Sequence, residues 1–165
     1  MKQFKTFLIA AIALLGFQTI NAQAKTAHVD VNDVMSKMPA VLDAQSQLKK
    51  LSDTYTAEYK TMVDEYQSKI KKYDGEAATV TDAVNQTRQT EMQDMAKRIS
   101  DYQETAQKDL QKKEADLMKP ITEKVKASIQ KVGKAKGYQY VLNAADLLLS
   151  DGPDLTADVK KDLGF

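Results

Sequence analysis

Apolar residues recur at helical spacing from about Val41 to Lys136, and most of what the chain can fold into follows from that run. They fall first at Leu48, Leu51, Tyr55, Tyr59, Met62, Tyr66, Ile70 and Tyr73, in steps of 3, 4, 4, 3, 4, 4 and 3. A second series occupies Met92, Met95, Ile99, Tyr102, Ala106 and Leu110, then Leu117, Ile121, Val125, Ile129 and Val132. Steps of three and four place side chains on one face of a helix, whereas a strand would alternate every second residue. The run holds one glycine, Gly75, before Gly133, and one proline, Pro120. Between the two series DGEAATVTDA, residues 74–83, interrupts the stripe, and Thr81 is placed to cap a new helix. The pattern predicts two long helices folded into an antiparallel hairpin with its tip near residues 74–82. Its eleven-residue repeat predicts a nearly straight or weakly right-handed pair.

Pro39 and Pro120 average to position 79.5, inside the tip, so antiparallel pairing predicts that they stand at one height. A proline removes a donor and clashes with the preceding turn, so the two mark the base of the arm and are candidate hinges. Outside them the pattern changes. AHVDV, residues 27–31, alternates as a strand does, with Val29 and Val31 in it. Asn32 is a candidate cap for a short helix carrying Val34, Met35 and Met38. GYQYVLN, residues 137–143, is a second candidate strand bearing Tyr138, Tyr140, Val141 and Leu142, with Gly137 as the stop of the long helix. Leu147 to Ser150, with Leu147 and Leu149, is a third, closed by an Asp151-Gly152-Pro153 turn. Thr156 is expected to cap a last helix whose Val159 and Leu163 share a face.

The expected fold is mainly α with a small β body: a helical arm over 40–119 and a β-rich oligomerisation body from 25–39 and 120–165. A body of 61 residues is marginal alone, because small domains bury a smaller fraction of their surface. Three short strands also leave unpaired edges. The chain has no cysteine and therefore no disulfide to compensate, so several subunits are expected to share the body through these strands. The first 24 residues read as a cleavable signal peptide: Lys2 and Lys5, the apolar run Phe7 to Phe17, then Ala22-Gln23-Ala24. Eleven apolar residues are too few to cross a ~30 Å hydrocarbon layer. The mature chain is therefore expected outside the cytoplasm.

Charge adds little. The formal charge of +1 becomes −1 once Lys2 and Lys5 are removed, which gives no case for nucleic acid and leaves contact with a membrane surface open. Locally, residues 108–136 carry nine lysines against four acids, and residues 74–95 one arginine against five acids. One histidine, His28, and no cysteine place ordinary zinc and copper sites out of reach. No phosphate loop or nucleophile motif occurs, so neither an enzyme nor a cofactor is expected. The methionines and tyrosines of the stripe serve either as the helix–helix seam or as a soft, adaptable surface for varied partners.

Certain strings, taken in order, resemble the Skp/OmpH family of periplasmic chaperones over the whole mature chain. They are HVDVNDVM (28–35), LQKKEADLMKPI (110–121), KAKGYQYVLNAADLLLSD (134–151) and DLTADVKKDL (154–163). The resemblance implies a homotrimer with a β-barrel-like body and three helical tentacles around a cavity. It implies an ATP-independent holdase that keeps unfolded outer-membrane β-barrel proteins from aggregating. The family's best-known members look basic at the tentacle tips, whereas this tip is acidic. Candidate client contacts are Met62, Tyr66, Met92 and Met95, assisted by Lys112 and Lys113; Pro39 and Pro120 are candidate hinges. The alternative expectation is a structural or adaptor coiled coil of the cell envelope that docks to one fixed partner.

Overall fold

The computed structural model describes residues 24–165, so the expected signal peptide lies outside the described residues but for its last position. A short strand β1 (Thr26–Val29) leads into α1 (Val31–Lys37) and then α2 (Pro39–Glu76). A 3-10 turn (Ala77–Thr79) connects to α3 (Asp82–Ala135), followed by β2 (Tyr140–Asn143) and α4 (Thr156–Leu163).

Both long helices start where the chain chemistry directs. Pro39 sits in the first turn of α2, where its missing N–H costs nothing. Thr81 caps α3, its hydroxyl accepting from the Val84 amide at 3.4 Å. α3 then runs for 54 residues straight through Pro120, which therefore does not end the helix at the arm's base. It stops in a Schellman turn: Tyr138 N–H donates to the Gly133 carbonyl and Gly137 N–H to that of Lys134, with Gly137 at φ 77°. α3 returns along α2. The residue numbers of cross-helix partners add to between 160 and 164: Tyr55 with Asp109, Glu58 with Tyr102, Lys69 with Glu91, and Glu76 with Arg88.

β1 and β2 pair in parallel, Thr26 opposite Tyr140 through Val29 opposite Asn143. Parallel strands need a long crossover, and here the whole helical arm provides it. Leu147 to Ser150 is not a strand among the described residues. The free edge of β1 is already taken: His28 bridges Asp154, its amide donating to the Pro153 carbonyl and its own carbonyl accepting from Leu155. Leu147 is half-buried after a 3-10 turn, while Leu148 and Leu149 stand exposed. Val31 belongs to α1 rather than a strand, and Tyr138 lies in the turn after α3, packed on the core.

Two caps also differ from expectation. Asp30, not Asn32, caps α1: its carboxylate accepts from the Asp33 amide at 2.8 Å. Thr156 lies inside α4. Its amide and hydroxyl both donate to Asp154, and its hydroxyl accepts from the Asp30 amide, joining α4 to β1.

The core sits at the strand end of the molecule. Val29, Val34, Val125 and Val159 are fully buried there, one each from β1, α1, α3 and α4. Gly133 lets α3 approach the sheet closely, since a Cβ at that position would lie 2.8 Å from the Val141 Cγ2 methyl.

Candidate functional site: the apolar face of the helical arm

Away from the core, α2 and α3 have only each other to pack against among the described residues. A pair of helices lacks a third layer, so its apolar stripe is shared between a seam and solvent. The tyrosines bridge that seam by burying the ring and sending the hydroxyl to a carboxylate of the partner helix. Tyr55 donates to Asp109 at 3.1 Å, Tyr102 to Glu58 at 2.6 Å, and Tyr73 to Glu91 at 2.6 Å. Tyr55 and Tyr102 meet edge to face with centroids 6.0 Å apart. Burial, reinforced by Glu58, pushes the Tyr102 hydroxyl up to about 12. Burial and Asp109 raise Tyr55 as well.

Nearer the tip the seam becomes ionic. Lys69 pairs with Glu91, and Arg88 with Glu76 at 2.5 Å while stacking over the Tyr73 ring at 4.5 Å. The Lys69 ammonium, followed by the Tyr73 hydroxyl, holds Glu91 below its ordinary value. These pairs neutralise part of the acidic tip from within the arm.

The register brings the expected client contacts to adjoining levels: Tyr66 opposite Met95, and Met62 and Met92 one turn to either side. Met62, Tyr66 and Met92 are half-buried and present apolar surface. Met95, at 3 % exposure, is enclosed and presents none. Lys112 and Lys113 are exposed on α3, without a carboxylate within 4 Å among the described residues.

A larger feature lies closer to the core. A groove of about 700 Å³ opens between α2 and α3, floored by Leu48, Tyr55, Tyr59, Tyr102, Ala106 and Leu110. Periodicity tells which residues share a face but not how two faces meet, so the groove is not legible in the sequence.

The arm is thus a long two-helix hairpin with an incompletely covered apolar face, joined to a small parallel-stranded core. The family model for OmpH-like outer membrane proteins matches residues 25–163, and the chain belongs to that family. The fold is also similar to a crystal structure from Caulobacter crescentus, described as an OmpH-like outer membrane chaperone. The TM-score is 0.77 at 16 % identity, covering 86 % of this chain and 85 % of that one. No curated protein matches the chain.

Proposed function

We propose that the protein is an ATP-independent periplasmic holdase that binds unfolded outer-membrane proteins among the helical arms of a homotrimer. The observation that carries this reading is the apolar surface a single chain leaves uncovered. On the arm, Met62, Tyr66 and Met92 are half-buried and the Tyr59 ring is exposed. At the core end, Tyr140, Leu142, Leu148 and Leu149 are exposed. The second set suits closure of a barrel-like body by strands from other copies, with Leu147–Leu149 meeting the open edge of a neighbour's β2. The first set suits clients. An unfolded β-barrel protein aggregates through apolar segments and unpaired strand edges, and enclosure among three arms prevents this by exclusion. Many weak contacts accumulate avidity without a tight site, so release needs no fuel.

Within this reading, residues 25–39 and 120–165 form the body and 40–119 the arm. Pro39 and Pro120 are where the arm changes angle, and the signal peptide delivers the chain to the periplasm. Lys112 and Lys113 assist by attracting acidic stretches of the client. Dilution of a denatured outer-membrane β-barrel protein into buffer containing the mature chain tests the proposal by light scattering. Scattering should be suppressed at trimer excess; undiminished aggregation would remove the reading.

A further inference from the structure

The groove between α2 and α3 has features that select for one shape of client. Its floor is apolar, from Leu48, Tyr55 and Tyr59 on one side and Tyr102, Ala106 and Leu110 on the other. Its α3 flank carries Gln103, Gln107 and Gln111, three exposed carboxamides at successive i, i+4 positions. The charged residues of its lining are Lys49, already paired with Asp53 at 2.8 Å, and Glu114.

We propose that this groove receives an extended, alternating apolar/polar segment of the client, one strand wide and about five residues long. The proposal rests on the holding role above and names the part of the client that is held here. Four helical residues rise about 6.0 Å, and two residues of an extended chain advance about 6.6 Å. Successive glutamines therefore keep step with the backbone groups along one edge of a strand, drifting by about 1.2 Å over three, which side-chain rotation absorbs. Each carboxamide offers two donors and an acceptor, as strand N–H and C=O groups require. The helices' own backbone cannot do this, because its groups are already paired within each helix. Along α2 the floor from Leu48 to Tyr59 covers about 16 Å, the length of roughly five extended residues. Alternate apolar side chains then fall into the floor while the polar ones point away. This is the pattern of a membrane-spanning β-strand, and the groove covers both its apolar face and one edge.

The test uses the full mature chain and two fluorescein-labelled peptides of identical composition, one alternating and one with its apolar residues in a single block. Anisotropy should show the alternating peptide binding about tenfold tighter, equivalent to ~1.4 kcal/mol. The triple variant Gln103→Ala, Gln107→Ala, Gln111→Ala should erase that preference without loss of helix content, since alanine favours helix at exposed positions. A benzophenone amino acid at position 107 should crosslink to the alternating peptide. Equal affinity for the two peptides, or a triple variant that still discriminates, overturns the groove. If the same protein still suppresses outer-membrane protein aggregation, the groove alone is lost and the holding role stands. If the wild type suppresses nothing yet discriminates between the peptides, the holding role is lost and the groove stands.

Discussion

A single absent side chain sets how closely α3 can approach the sheet. Gly133 lies inside a helix, where alanine is ordinarily preferred by about 1 kcal/mol. Its Cβ, however, would lie 2.8 Å from the Val141 methyl, and overpacking of that kind costs about 1–3 kcal/mol. The clash should win. Gly133→Ala is expected to lower stability by about 1 kcal/mol, the balance of those two effects. With Val141→Ala already in place, the same substitution should become neutral or stabilising, because only the helix preference remains. Thermal unfolding followed by circular dichroism at the helix band, across the four chains of the cycle, measures this. An identical effect of Gly133→Ala in both backgrounds would show that the close approach is not what requires the glycine.

At the scale of elements, α4 is fastened to its neighbours by charged aspartates. Asp33 on α1 meets Lys160 of α4 and Lys37, and Asp162 of α4 meets Lys131 and Ser128 of α3. Lys160, then Lys37, holds the Asp33 carboxyl below the ordinary 3.8, and Lys131, then Ser128, does the same for Asp162. A carboxyl lowered on folding adds stability above its unfolded value and loses it as pH falls through the lower folded value. Stability should therefore be flat from neutral pH down to about 5 and fall below about 4. The double variant Asp33→Asn, Asp162→Asn should begin less stable at neutral pH and decline less steeply in acid. Urea midpoints along the pH series decide it, and parallel curves would exclude these two groups as the cause. This fastening is not legible in the sequence, since its contacts between elements join residues 31 to 127 apart, whereas the long helices are, because 3-4-4 spacing is local. Thr81 was found as a cap for the same reason. The cap at Asp30, and the Asp154 carboxylate that accepts from the Thr156 amide, are not legible, because Asn32 and Thr156 suit a capping role equally well by residue type and only geometry chooses. The third strand does not form within one chain: Leu147 to Ser150 has the composition of a strand, but the free edge of β1 is taken by Asp154 and the segment does not turn back onto β2.

That unpaired segment is the part of the chain least attached to the rest of it. Leu148 is 108 % exposed and Leu149 75 %, so within one chain the pair is held by almost nothing. Tyr140 and Leu142 are exposed on β2 nearby in sequence, and the outer edge of β2 has no strand beside it among the described residues. Apolar surface of this kind is costly in water at about 25 cal/mol per Å², and strand edges left open recruit other chains. If the body is shared between copies, these leucines contribute to assembly and almost nothing to the fold of one subunit. Leu148→Asp with Leu149→Asp should separate the two roles. The wild-type mature chain is expected to show the native mass of three subunits, and the double variant that of one, with helix content largely kept. Aggregation of a diluted outer-membrane protein should then proceed despite intact arms, because a lone arm encloses no space. A variant that kept the wild-type mass would show that assembly uses another surface. One that lost its helices together with its partners would show that these leucines support the fold of the single chain after all.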